Sequence, residues 1–183
     1  MRNILKNRLA LSTVVTTLII LVISVLLAGV VTYYAINVVS TRVQQESLSL
    51  QFLHVWYASG GTEAAFAIVN TGGRDVVINN IQVRGQSTAF NKVYSGVGSV
   101  DSDLSYATLS GSSATSSNSV ALTQGSTGTS ITLPSGDTLV VYINGPDSIG
   151  INDIGLTVGV TVFTSQAMYY QECNVQAYVA GSS

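Results

Sequence analysis

The side chains in this sequence that are best suited to catalysis or metal binding are a single histidine, a single cysteine and a pair of aspartates. His54 would serve as a general base or a metal ligand, but no nucleophile or second ligand stands in a recognisable pattern around it. Asp101 and Asp103 are two residues apart, as calcium ligands often are, but the other ligands of a calcium loop do not follow. We therefore interpret His54 as a partly buried structural residue and expect neither an enzyme nor a bound metal or cofactor.

Cys173 is the only cysteine, so an intrachain disulfide is excluded. In a strand with a two-residue period, Cys173 shares a face with Val175 and Ala177. We interpret it as a small core residue, with an intersubunit disulfide as the alternative.

The charges of the chain are few and unevenly distributed. Charged residues make up 9% of the sequence, and three of the seven basic residues are Arg2, Lys6 and Arg8. Residues 11–183 carry four basic and nine acidic side chains, a formal charge of −5. Nucleic-acid binding needs a cluster of basic residues, which this part of the chain lacks. So little charge suits a surface that is covered by neighbouring subunits or by glycans.

An apolar segment follows the basic N-terminus. Residues 9–41 are 33 consecutive residues without a charge, whereas a bilayer core needs about 20 and the apolar region of a secretory signal has about 7–15. This length favours a retained helix over cleavage by an ordinary signal peptidase near Ala28. We predict a helix over residues 11–47, about 55 Å long at 1.5 Å per residue.

Small residues recur along this predicted helix at spacings of four and seven, where they would let neighbouring helices approach closely. The alternative is that they reflect the general abundance of small residues in membrane helices. The positions are Thr13, Thr17, Ser24, Ala28 and Ala35.

The remainder of the chain has the pattern of a β-domain. Leu48, Leu50, Phe52, His54 and Trp56 alternate with polar or smaller residues, and Gly-rich and Asn-containing turns separate the later apolar runs.

Further strands are predicted near residues 119–123, 129–133, 137–143, 154–163 and 167–179. Val76 and Ile78 differ in parity from Ile81 and Val83, so a β-bulge is expected at Asn79–Asn80.

Residues 95–130 contain 22 Ser, Thr or Gly and are expected to form exposed loops or short edge strands. The predicted fold class is α+β, a long hydrophobic N-terminal helix followed by an immunoglobulin-like antiparallel β-sandwich.

Three segments resemble archaeal type IV pilins, a family with class III signal peptides in the archaellin-like superfamily. Residues 10–20, behind a short basic leader, are similar to the start of the mature subunits of that family. Residues 64–83 are similar to its strand, Asn-Thr-Gly turn and strand, and residues 131–143 to its Pro-x-Gly turn between strands. Val15 stands where bacterial pilins place a glutamate, which fits the archaeal branch.

The resemblance implies how the chain is processed. A prepilin peptidase would remove residues 1–10 by cutting between Ala10 and Leu11, leaving a helix over residues 11–47 and a β-sandwich over residues 48–183. The mature subunit would wait in the cytoplasmic membrane before assembly.

The resemblance also implies a function and partners. Identical subunits would form an extracellular filament on the cell surface through the pilus assembly machinery, for adhesion, with no nucleic acid involved. A single-pass membrane-anchored β-sandwich that binds a partner without polymerising is the alternative, and a secreted soluble domain is a third possibility.

Overall fold

The fold is α+β, with one long apolar helix followed by a β-sandwich-like domain. A computed structural model describes residues 2–43 and 45–179, and of residues 2–11, 42 and 43 it describes the backbone alone. Helix α1 spans Arg2–Val43. The helix and the β-domain form two compact units. From Ser12 to Thr41, α1 is apolar on all sides, unlike the surface helix of a soluble domain, which carries a polar face.

The helix ends earlier than the sequence predicted. We expected it to reach Ser47, but α1 ends at Val43 and the first strand begins at Leu48. The Ser47 carbonyl accepts hydrogen bonds from the amides of Thr71 (2.9 Å) and Gly72 (3.0 Å). These bonds commit the residues before the strand to the β-domain, so the helix cannot continue through them.

Within the described residues, the β-domain contains eleven strands and two 3₁₀ turns. The strands are β1 (Leu48–Ala58), β2 (Gly61–Asn70), β3 (Val76–Val83), β4 (Gln86–Ser87), β5 (Val93–Val97), β6 (Ser113–Thr115), β7 (Ala121–Gln124), β8 (Ile131–Leu133), β9 (Thr138–Asn144), β10 (Thr157–Thr164) and β11 (Met168–Ala177). The 3₁₀ turns are Phe90–Lys92 and Ile151–Asp153.

The strands form one hydrogen-bonded path that folds back on itself. Its order is β4-β3-β10-β11-β1-β2-β9-β5-β7-β6, with β8 paired to β3. The pairing of β1 with β11 is parallel, and the other described pairings are antiparallel. Strands β3 and β10 face strands β1, β2 and β9 across a main core that includes Phe66, Ile68, Ile78, Ile81 and Val160.

A second cluster of buried side chains lies on the opposite face of β1, β2, β5 and β9. It contains Trp56, Ala65, Tyr94, Leu104, Ala107, Val120, Leu122, Val140 and Tyr142. Both faces of β2 and β9 are therefore buried. This explains why their sequences, AAFAI and LVVYI, are continuous apolar runs and do not alternate.

The β-bulge predicted in β3 is confirmed. Ile78 pairs with Thr164 of β10 and Asn80 pairs with Phe163, so Asn79 is left over and its side chain points to solvent. The extra residue changes the parity of the strand. Ile78 and Ile81 consequently both lie in the main core, fully buried.

A second bulge, in β1, makes the predicted alternation of that strand wrong. Gln51 pairs with Ala67 and His54 pairs with Ala65, so Phe52 and Leu53 together oppose a single residue of β2. Phe52 adopts a φ of 51°, which is rare for a bulky residue. As a result Leu48 and Leu50 pack on the main core, whereas Phe52 and Trp56 pack on the second cluster.

The Ser/Thr/Gly-rich region is less exposed than its composition suggests. Its short strands β6 and β7 do lie at one end of the strand path, as expected. However, Leu104, Val120 and Leu122 are buried in the second cluster. A few apolar residues in a polar region are enough to hold it against the sheet, because β5 and β9 present apolar side chains on that face.

Candidate functional site

Among the described residues, α1 carries a long run of exposed apolar side chains. Its segment Ser12–Thr41 has 30 residues, and the most apolar 18-residue stretch within it has a mean hydropathy of 3.0. The side chains of this segment are exposed. It is long and apolar enough to cross a membrane. Exposing so much apolar surface to water would be costly, at about 25 cal/mol per Å². The segment is therefore a candidate membrane anchor or signal.

Several Ser and Thr hydroxyls of α1 donate hydrogen bonds to carbonyl oxygens of the same helix. Thr17 donates to the carbonyl oxygen of Val14 at 2.9 Å, and Ser24 donates to that of Ile20 at 2.8 Å. Thr16, Thr32 and Thr41 make equivalent bonds one turn back. Such internal bonds let Ser and Thr lie in an apolar environment without an unpaired donor.

The five predicted packing residues occupy one side of the helix. At 100° per residue, Thr13, Thr17, Ser24, Ala28 and Ala35 fall within a sector of about 60°, and their side chains are exposed. The last of the five, Ala35, also lines a shallow apolar groove together with Ile36, Val39 and Ser40. Small side chains on one side are what close contact with another helix requires.

Two tyrosines on α1 were not singled out from the sequence. Tyr33 and Tyr34 are 72% and 70% exposed and follow the most apolar part of the helix. Tyrosines are enriched where a membrane meets water, since the ring is apolar and the hydroxyl is polar. The sequence contained a signal for this position. About 24 residues, the length of one membrane span, separate Tyr33 from Arg8, the last basic residue of the N-terminus.

The predicted processing site lies in the N-terminal part of α1. The backbone at Ala10 and Leu11 is helical, and the side chains at both positions are outside the described residues.

The predicted chemistry of the β-domain changes in one respect. His54, which the sequence left without a partner, lies 2.7 Å from Asp103, from its Nε2 to the aspartate Oδ1. The His54 ring also stacks on Trp56, with ring centroids 5.2 Å apart. The 49 residues between His54 and Asp103 hid this pair from sequence reasoning. Asp103 is therefore the side-chain partner of His54. Within the described part of the chain, no group of three or more Asp, Glu, His or Cys side chains is arranged to hold a metal ion.

Cys173 lies on the core-facing side of β11, as the two-residue period of its strand predicted. It is half-buried and packs against the main core. Burial raises the pKa of its thiol to about 11. The thiol therefore remains protonated near neutral pH and is a poor nucleophile.

Comparison with known proteins adds no relatives. No protein-family model matches the sequence, and no curated protein matches it.

Proposed function

We propose that this chain is the structural subunit of an extracellular type IV pilus-like filament that serves in adhesion. Copies of α1 pack together in the centre, and the β-domains lie outside. The observation that carries the proposal is the apolar surface of α1, 30 residues long and without a buried side chain. A polymer of helices covers such a surface on every side.

The energetics of α1 favour assembly once it leaves the membrane. Moving a helix from lipid into a helix bundle changes little apolar exposure, so close packing of small residues must provide specificity. Moving it into water would cost about 25 cal/mol per Å² of apolar surface. A filament that extends into water is therefore held together by the surface that first anchors the subunit in lipid.

The sequence supports a specific route to that state. The basic leader and the tract behind it resemble the prepilin site of archaeal pilins, with cleavage between Ala10 and Leu11. The partners proposed are identical subunits, the membrane before assembly, the prepilin peptidase and the assembly machinery.

The β-domain supports a polymer built through α1. The strand path ends on one side with the two residues of β4 and on the other with the three residues of β6. Short edge strands resist pairing with another chain. The two ends of the strand path therefore offer little edge for strand-to-strand association, which supports polymerisation through the helix.

A single-pass membrane protein is the second candidate. It is favoured by the β-domain being a compact unit of its own, with a complete main core. Such a domain could bind a partner at the cell surface without any polymer.

N-terminal sequencing of the chain sheared from cells tests the proposal. We expect the protein to appear in the sheared, sedimentable fraction and to begin at Leu11. A start near Gly29 would overturn the filament proposal in favour of ordinary secretion. An intact N-terminus in the membrane fraction alone would instead support the single-pass anchor.

A further inference from the structure

Residues 98–112, here named the cover segment, connect β5 to β6 and lie over the second cluster. Four polar side chains that stand on β1, β2, β5 and β9 bond to it. The bonds are His54 Nε2 with Asp103 Oδ1 (2.7 Å), Tyr142 Oη to the Ser105 carbonyl (2.9 Å), the Ala107 amide to Glu63 Oε1 (2.8 Å) and Tyr94 Oη to the Gly111 carbonyl (2.8 Å).

Glu63 is the unusual member of this set. Its side chain lies on β2 opposite Trp56 and is 3% exposed, in a cluster that is otherwise apolar or aromatic. Removal from water raises the pKa of its carboxyl group to about 8, although the hydrogen bond from the Ala107 amide acts in the other direction. Among the described residues, no basic side chain forms an ion pair with it.

The titratable groups around Glu63 do not compensate its charge. His54 on β1 is committed to Asp103 of the cover segment. The hydroxyls of Tyr106 in the cover segment and Tyr142 on β9 have pKa values raised by burial and, to a smaller extent, by the Glu63 charge. Tyr178 stacks on Tyr106 with ring centroids 4.1 Å apart. A negative Glu63 would therefore meet aromatic rings, phenol groups and one amide.

We propose that the cover segment is a pH-sensitive cover of the β-domain, closed while Glu63 is uncharged and released when Glu63 loses its proton. Charged Glu63 needs water, and water reaches it when residues around Ala107 lift away. The strand path and the main core stay intact, since Glu63 lies on the face of β2 that carries the second cluster. The proposal is independent of polymerisation.

The direction follows from linkage. Glu63 has a pKa of about 8 with the cover closed and, when hydrated in the open state, an ordinary pKa of about 4.5. Protonation stabilises the closed state below both values. That stabilisation is lost as pH rises from about 4.5 to about 8, and opening becomes up to about tenfold more favourable per pH unit in that interval.

Hydrogen exchange of the full chain in detergent micelles measures this opening amide by amide. After correction for the intrinsic pH dependence of exchange, the opening constant of the Ala107 amide should rise roughly 70-fold from pH 5 to pH 7. Amides of β9, in the middle of the sheet, should show less than about a threefold change. An equal rise in β9 would mean that the whole domain opens and would overturn the proposal.

Two variants isolate the carboxyl group. Glu63→Gln keeps an oxygen for the Ala107 amide but cannot ionise, so the pH dependence of cover-segment exchange should disappear. Glu172→Gln, on the exposed face of β11, is the matched control and should behave as the wild type does. If Glu63→Gln retains the wild-type dependence, or if the wild type has none, Glu63 does not control the cover. Should Glu63→Gln fail to fold, the wild-type comparison of Ala107 with β9 still decides.

Discussion

Asn70 shows how a single side chain can organise a turn. It is 1% exposed, and its Nδ2 donates to the carbonyl oxygens of Arg74 (2.8 Å) and Leu133 (3.1 Å). Its Oδ1 accepts from the amide of Gly72 at 3.0 Å. One amide group thereby ties the end of β2 to its own turn and to β8.

Replacing this amide should destabilise the β-domain. Asn70→Ala leaves the buried Leu133 carbonyl and the partly buried Arg74 carbonyl without their donor, so we expect the free energy of unfolding to fall by about 2 kcal/mol. Urea denaturation of the full chain in micelles, followed by Trp56 fluorescence, measures the loss. Asn79→Ala is the control because Asn79 is exposed in the β3 bulge, and its change should stay within about 0.5 kcal/mol. Equal effects at the two positions would show that the Asn70 bonds do not matter.

The sequence predicted the turn at Asn70 but for the wrong reason. Asn and Gly are common in turns because they tolerate positive φ, but neither Asn70 nor Gly72 is among the described residues that adopt it. Gly72 is required by proximity, since a Cβ on it would lie 2.8 Å from the Gln45 carbonyl oxygen and the Ser47 amide. Neighbours distant in sequence set this requirement. The same limit hid the His54–Asp103 pair and the burial of Glu63.

Among the elements, those with the strongest apolar pattern were the most predictable. The charge-free segment specified α1, and a change of parity specified the bulge at Asn79. The bulge at Phe52 left no such trace, because Phe52 and Leu53 are both apolar and either parity reads as a strand. Strands β4 and β5 were missed, since β4 has only two residues and β5 contains Gly96.

The small-residue side of α1 leads to a prediction at this scale. Ala28→Trp should leave membrane insertion intact but reduce filament number at least tenfold, because the ring overfills a close helix contact. Leu26→Trp, on the opposite side of the helix by the 100° periodicity, replaces a residue that is already large and should reduce filaments less. Filaments counted by negative-stain electron microscopy, with membrane-fraction immunoblots, provide the comparison. Equal filament numbers for the two variants would place no close contact at Ala28.

At the scale of the whole molecule, the chain combines a long, exposed apolar helix with a β-domain that has its own buried core. The β-domain encloses a main core, adds the second cluster under the cover segment and ends its sheet in short strands. The small share of charged residues, 9% of the sequence, would suit the proposed polymer, in which the sides of the domain lie against neighbouring copies. The sequence indicated both parts, but not that the Ser/Thr/Gly-rich region would form a layer of the domain.

Electron cryomicroscopy of filaments sheared from cells that make the full chain tests the central claim most directly. The account predicts a continuous filament with copies of α1 packed in its centre, beginning at Leu11, and β-domains on the outside. A cell surface without filaments, with the chain kept in the membrane by α1, would contradict polymerisation and leave the single-pass binding protein.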